Sequence, residues 1–153
     1  HLLILASKAD PASYTLGKRV AAVLAAYLPS SKARIVRAPY LRRVASLIST
    51  KQLDVAILSR EHATALAKGR EPFAEFEPVP LRIIVGLAQY LLVCHQDFRA
   101  LHAYLVAETL SRHQGELPVP VSPEGSDSAG DDATLSMHPG AHAFFDGRPP
   151  PAD

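Results

Sequence analysis

Basic, serine and tyrosine side chains are concentrated in three short segments, residues 7–14, 38–43 and 59–62. An arginine can hold a carboxylate or phosphate in two parallel hydrogen bonds, and the free N–H groups at the start of a helix also favour anions. These residue types therefore predict a site for a small anionic solute, with Arg60 as its main anchor. The predicted ligand contacts are Lys8, Ser13, Tyr14, Tyr40, Arg42, Arg43, Ser59 and Arg60. The alternative is that the same side chains are solvated caps and loop charges.

The seven histidines suggest a second chemistry, metal binding. His138 and His142 are four residues apart, which places two imidazoles on one face of a helix, and His1 could add a third. Pro139 and Gly140 lie between the first two, so the helical geometry is left open. No cysteine cluster or carboxylate triad accompanies these residues, which favours ordinary hydrogen-bonded or surface histidines. We predict no cofactor, and His1, His138 and His142 form the weaker metal hypothesis.

Sequence motifs for catalysis are missing from the chain. There is no Gly-x-Ser-x-Gly motif and no phosphate-binding glycine loop. Cys94 lies in an apolar run, which predicts a buried thiol acting as a small hydrophobe. Aromatic residues are few, and no nucleic-acid recognition motif accompanies the basic residues. We therefore predict a binding protein that is neither an enzyme nor a nucleic-acid partner.

The net charge of +1 conceals a strong asymmetry along the chain. Residues 1–70 carry twelve Lys or Arg against three Asp or Glu, whereas residues 71–153 carry four against twelve. Such a division predicts an anionic ligand or partner for the first half. Two alternatives are that the acidic half screens the basic half within one molecule, and that the charges are dispersed over solvated helix faces.

The first 70 residues alternate three apolar strands with three helices of helical periodicity. The predicted strands are 1–6, 33–37 and 54–58, and the predicted helices are 12–28, 41–49 and 61–68. This order is typical of an α/β fold with an open parallel sheet and helices on both faces. The carboxyl ends of parallel strands share one edge, where such sheets bind their ligands. The three basic segments should therefore meet at that edge.

The second half continues the same lobe and then changes in composition. After a proline-containing connector at 71–80, strands are predicted at 81–87 and 89–95 and a helix at 98–113. Residues 115–136 are rich in Pro, Gly, Ser and acidic residues and contain no Lys or Arg, which predicts a solvated loop or a disordered segment. A last short helix at 138–145 begins through Pro139. We assign 1–114 to a single α/β lobe, 115–136 to the acidic loop, and 137–153 to a C-terminal helix and tail of that lobe.

Four short sequence motifs, in their order along the chain, resemble those of a known family. They are Ser-Tyr-Thr-Leu-Gly at 13–17, Thr-Lys-Gln-Leu-Asp-Val-Ala at 50–56, Ser-Arg-Glu at 59–61 and Met-His-Pro-Gly-Ala at 137–141. Together they resemble the TAXI family of solute receptors that serve TRAP transporters, shortened to about half of the usual length. The resemblance implies one lobe of a type II periplasmic binding protein, with the second lobe absent.

The resemblance and the basic segments together give one main hypothesis and two alternatives. The main hypothesis is an extracytoplasmic, periplasmic-type module that binds a small anionic solute, its cleft completed by a protein partner or a second copy. Membrane association would come only through a transporter or another partner, and any signal peptide would already be removed. The first alternative is a non-transport adaptor that binds other proteins, and the second is a histidine-based periplasmic metal binder.

Overall fold

The computed structural model describes residues 1–124 and 135–153 and shows the α/β fold that the sequence predicts. The strands are β1 (Leu3–Ser7), β2 (Arg34–Ala38), β3 (Val55–Ser59), β4 (Leu81–Leu87), β5 (Tyr90–His95) and β6 (Ser136–Met137). The helices are α1 (Pro11–Tyr27), α2 (Leu41–Ser49), α3 (Arg60–Lys68), α4 (Ala100–Arg112) and α5 (Pro139–Phe145). Every strand and helix predicted before residue 114 is present, with ends within two residues of the prediction.

The six strands form one mixed sheet in the order β2-β1-β3-β5-β4-β6. β1 runs parallel to β2 and β3, and β6 runs parallel to β4, but β5 is antiparallel to both of its neighbours. The reversal comes from a two-residue turn between β4 and β5, in which Ala88 has a φ of 57°. The expectation of a parallel sheet therefore needs one correction, because a turn this short can join only antiparallel strands.

Helices cover both faces of the sheet. In β1, Ile4 packs into the layer beneath α1, α4 and α5, whereas Leu5 packs into the layer beneath α2 and α3. β3 alternates in the same way through Ile57 and Leu58. All four side chains are at most 2% exposed. Because each strand is buried on both faces, its sequence is a continuous apolar run.

Local capping groups fix where the helices begin at the carboxyl edge. The Asp10 carboxylate accepts a hydrogen bond from the Ser13 N–H before Pro11 opens α1. The Ser59 hydroxyl accepts from the His62 N–H at the start of α3. Both contacts satisfy N–H groups that a helix start leaves without partners. Among the described residues, no helix has the length and apolar character needed to cross a membrane.

The segment that was expected to be a loop from residue 115 contains ordered structure at both ends. A short 3₁₀ helix covers Gln114–Glu116, and Leu117 after it is 8% exposed. Ser122 then makes an isolated antiparallel bridge to Gly86 of β4, and Ser136 belongs to β6. The remainder of the predicted loop, 125–134, lies outside the described residues. The C-terminal helix starts at Pro139, as predicted.

Candidate functional site

The three basic segments lie at one edge of the sheet, as their positions after β1, β2 and β3 require. The Lys8 N–H donates to the Ala38 carbonyl at 2.7 Å, which joins the ends of β1 and β2. The Arg60 N–H donates to the Gln89 carbonyl at 3.2 Å, which joins the end of β3 to the β4–β5 turn. Strand order reverses between β1 and β3, and ligands of open α/β sheets bind in the crevice at such a point.

Arg60 directly follows β3, its side chain extends toward the β4–β5 turn, and it already holds a carboxylate. Its Nη1 and Nη2 donate to the two oxygens of Glu124 at 2.8 and 2.9 Å. Its Nε donates to the Ala88 carbonyl at 2.8 Å, and this third hydrogen bond fixes the orientation of the guanidinium plane. This paired geometry is the one in which arginine binds a planar carboxylate most strongly. Arg60 is therefore oriented for carboxylate recognition, with an internal group as its partner.

The segment that carries Glu124 reaches Arg60 by crossing β4. Ser122 and Gly86 exchange two backbone hydrogen bonds, at 2.7 and 3.0 Å. A side chain at Gly86 would collide with the Glu124 and Ser122 side chains in their present positions, because its Cβ would lie 2.8 Å from both the Ser122 hydroxyl and a Glu124 oxygen. The Ser122 hydroxyl also donates to Glu124 at 3.0 Å. The Glu124 carboxylate is thus positioned by its own segment as well as by Arg60.

The ionisation of both groups favours this pairing. The hydrogen bonds from Arg60 lower the pKa of Glu124, and the reciprocal bonds raise the pKa of Arg60. Burial opposes both shifts but is the smaller effect. The pair therefore remains ionised at pH values above the ordinary pKa range of carboxyl groups.

On the β1 side of the crevice, a second carboxylate is committed to local structure. Asp10 accepts a hydrogen bond from the Tyr90 hydroxyl at 2.9 Å in addition to capping α1. Burial and the contact with Asp10 raise the pKa of Tyr90. The side chains of Asp10 and Tyr90 thus connect the ends of β1 and β5 across the intervening β3.

Three predicted ligand contacts also have structural roles. The Ser13 side chain is buried and donates to the Asp10 carbonyl at 2.8 Å, and the Ser59 hydroxyl caps α3. Arg42 forms an ion pair with Glu75 in the connector before β4. A ligand at these positions would compete with the contacts that the side chains already make, and their role as ligand contacts stays a prediction.

The other predicted contacts differ in how available they are. Tyr14 packs beneath Arg37, whose guanidinium carbon is 5.0 Å from the ring centre, with Lys18 at 5.6 Å from the same centre. Lys8, Tyr40 and Arg43 are exposed and make no ion pair or side-chain hydrogen bond within the part of the chain that the structure describes. Arg60 and these three exposed residues are the members of the predicted anion site that are most accessible to a solute.

Sequence reasoning missed three residues of this edge: Asp10, Tyr90 and Glu124. Asp10 had a visible signal, since Asp followed directly by Pro is typical of a capped helix start. Glu124 had only the general signal of an acidic segment in a chain whose first half is basic. Its pairing with Arg60 is one instance of the predicted screening of the basic half by the acidic half.

Two histidines of the metal hypothesis, His138 and His142, make other contacts. His138 Nδ1 accepts from the Gly140 N–H at 3.1 Å, so its Nε2 must carry the proton that faces the Phe98 carbonyl at 2.6 Å. No lone pair of this ring is left for a metal. His142 contacts Arg148 through Nδ1. Among residues 1–124 and 135–153, no group of three or more His, Cys, Asp or Glu side chains is placed to hold a metal ion.

The buried His138 makes stability depend on pH. Burial lowers the pKa of His138, and it also lowers that of His95, so the folded protein binds fewer protons than the unfolded chain below the ordinary histidine pKa of about 6.5. The stabilisation is complete above that value and is lost as the pH falls below it.

We expect His138→Asn to keep the cap on the Gly140 N–H and to lose the hydrogen bond to the Phe98 carbonyl. The variant should lower the free energy of unfolding by about 1–2 kcal/mol at neutral pH, and its free energy of unfolding should fall less steeply toward about pH 5. Urea unfolding across this pH range measures both effects, and an unchanged slope would contradict the assignment.

Cys94 does not contribute a reactive group to the site. It is fully buried, and burial strongly raises the pKa of its thiol. The thiolate, which is the nucleophilic form, is therefore suppressed. This agrees with its predicted role as a small core side chain.

A scan against models of protein families finds none that matches the chain, and a search of curated proteins likewise finds no match.

Proposed function

We propose that this chain is a non-catalytic binding module for a small anionic solute, comparable to one lobe of a solute receptor. The site is the carboxyl edge of the sheet, with Arg60 after β3 as the anchor and Lys8 after β1 as a further cation. A TRAP-type receptor role and an extracytoplasmic location are part of the same proposal, and they rest on the sequence resemblance.

The observation that carries the proposal is the carboxylate held by Arg60. Both outer nitrogens of the guanidinium face Glu124 while Nε is bonded to the β4–β5 turn. A solute carboxylate that replaced Glu124 would find the same donors in the same plane. The Arg60 side chain is 41% exposed, so a solute can approach it from water.

An open lobe also implies a second component. Sites that hold small molecules well bury most of the ligand surface, and a single sheet edge provides only one wall. We propose that a partner or a second copy supplies the opposite wall, as the missing lobe would in a two-lobed receptor. The exposed Tyr40 and Arg43 beside the crevice would lie in that contact.

Thermal unfolding with a panel of small carboxylates and their uncharged amides tests the proposal. At a concentration about tenfold above the dissociation constant, a binding carboxylate should stabilise the protein by about 1.4 kcal/mol, a rise of roughly 3–6 °C in Tm. Its amide should give no rise. We expect Arg60→Ala to abolish the rise, because the variant loses the guanidinium that holds the charge.

Arg112→Ala is the matched control. Arg112 is also an ion-paired, exposed arginine, but it pairs with Glu108 on α4. This variant should keep the carboxylate-dependent rise. If Arg60→Ala retains the rise, or if no carboxylate exceeds its amide in any variant, Arg60 is not a solute anchor.

A second candidate is the adaptor function, for which the edge strand provides the specific observation. β2 is the last strand of the sheet on its side, and its Arg34 and Arg37 are exposed. An extended acidic segment could add to such an edge through backbone hydrogen bonds, with the arginines selecting its charge.

Native mass spectrometry of the protein purified gently from its own source separates the two candidates. A retained small anion or a dimer supports the solute-binding module. A ligand-free monomer whose association with an acidic partner weakens at high salt supports the adaptor, since exposed charge pairs are screened by salt.

A further inference from the structure

A cavity of about 520 Å³ lies at the amino edge of the sheet, opposite the edge that carries Arg60. Its walls come from the residues before β1, the loop around Ser31, the residues that precede β3, and the first turns of α4. Small-molecule sites in proteins have volumes of about 300–1,000 Å³. The cavity is therefore large enough for a ligand of its own, independent of the proposed anion site.

The interior wall of this cavity is apolar. Leu28 and Phe98 are half-buried and pack against the layer beneath α1 and α4, and Leu53 packs against the opposite layer. Leu105 of α4 is also half-buried and adds to the wall. Covering these side chains with an apolar group would remove more of their surface from water, which is favourable at about 25 cal/mol for each Å². The ligand should accordingly have an apolar body.

Two polar groups of the wall have no partner within the described residues. The Ser31 hydroxyl oxygen is buried without a hydrogen bond, and the Asp54 carboxylate makes no hydrogen bond or ion pair. A buried hydroxyl without a partner normally costs about 1–3 kcal/mol. The Ser31 oxygen has almost no accessible surface, so a ligand does not reach it, whereas the exposed Asp54 carboxylate can accept a hydrogen bond from a donor group on the ligand.

The other charged side chains that line the cavity are already paired. Asp97 forms an ion pair with Lys51, and Arg99 forms one with Asp153. His1 and His102 also line the cavity. Among the lining Asp and Arg side chains that the structure describes, Asp54 is the one without an ion-pair partner, and its charge is negative.

From the apolar wall and the unpaired carboxylate, we infer that this cavity binds a small amphipathic amine. Its hydrocarbon body packs on Leu28, Phe98 and Leu105. Its ammonium group donates a hydrogen bond to the Asp54 carboxylate.

Two probes of equal length test the charge preference directly. Phenylbutylamine and phenylbutyrate share an apolar body and differ in the sign of the head group. In titrations of the whole chain at about pH 8, followed by amide chemical shifts, the amine should bind at least about tenfold more tightly, because hydrogen bonds to a charged group contribute about 1.5–3 kcal/mol. Its shifts should centre on residues around β1, Asp54 and α4. Equal binding of the two probes, shifts centred at the Arg60 edge, or no binding of the amine would overturn the inference.

Variants separate the head-group contact from the apolar wall. Asp54→Asn should weaken the amine about tenfold, whereas Glu61→Gln, the same change at the opposite edge of the sheet, should have no effect. Leu105→Trp should fill the cavity and prevent binding while circular dichroism shows a folded protein. Should Leu105→Trp fail to fold, the Asp54 and Glu61 variants decide the question alone, and equal amine affinity in those two would refute the inference.

Discussion

Replacing Gly140 with alanine is expected to lower the free energy of unfolding by about 3 kcal/mol, or roughly 6–12 °C in Tm. A Cβ at this position would lie 2.7 Å from the carbonyl carbon of Ala100 and 2.9 Å from its Cα, and still closer to its oxygen. These are backbone atoms of the first turn of α4. Neither α4 nor α5 can avoid the new methyl group by changing a rotamer, so the two helices must move apart.

Gly17→Ala is the matched control for this prediction. Gly17 is also a buried helical glycine, but the nearest atom to a new Cβ there is the terminal methyl of Ile35, which can rotate away. Alanine also stabilises a helix interior by about 1 kcal/mol relative to glycine. We expect this variant to remain within about 1 kcal/mol of the wild type. Urea unfolding of both variants measures the difference. Equal free energies of unfolding would show that α4 and α5 can move apart at little energetic cost.

The contact between α4 and α5 also explains the residue types of the motif at 137–141, on which the family resemblance partly rests. His138 caps the Gly140 N–H, Pro139 occupies the first helical position, and Ala141 is fully buried. Each of these residue types thus has a structural role at the junction of β6, α5 and α4. This motif accounts for how the end of the chain is fixed to the lobe.

The fold was largely predictable because its strands and helices have distinct periodicities. Continuous apolar runs such as 55–58 predict strands that are buried on both faces, and the spacing of Leu16, Val20 and Leu24 predicts the buried face of α1. The apolar run of β5 fits a parallel or an antiparallel strand equally well, and the short gap between the predicted strands 81–87 and 89–95 was the signal of its antiparallel direction. Its two-residue turn lacks the Asn-Gly or Gly-Gly signature of tight hairpins, having Ala88 at a positive φ instead.

The candidate site was predictable only to the level of a sheet edge. Alternation of strands and helices places Lys8 and Arg60 at one edge whatever their side chains do. Which residues remain free depends on partners that are distant in sequence, and Glu124 is 64 residues from Arg60. No local pattern connects these two positions. The charge asymmetry indicated that such pairs should exist, but it could not identify them.

If Glu124 occupies the solute position, replacing it with glutamine should increase the affinity for small carboxylates about tenfold. A protein whose binding-competent state is only partly populated binds its ligand more weakly by that fraction. Charge-assisted pairing contributes about 1.5–3 kcal/mol, which corresponds to roughly 10- to 100-fold, and the partial exposure of both side chains favours the lower value. Glutamine keeps the shape that packs against Gly86 and removes the charge. Titration calorimetry with the carboxylates that stabilise the wild type measures the change.

Glu116→Gln is the control, because Glu116 belongs to the same acidic segment but contacts Tyr27. Its affinity for carboxylates should equal that of the wild type. An increase in Glu124→Gln that disappears in the double variant with Arg60→Ala would mean that solute and Glu124 compete for one guanidinium. Unchanged affinity in Glu124→Gln would mean that the two do not compete and that the Arg60–Glu124 pair only fastens the acidic segment to the sheet. The acidic half of the chain would then stabilise the basic half without regulating access to it.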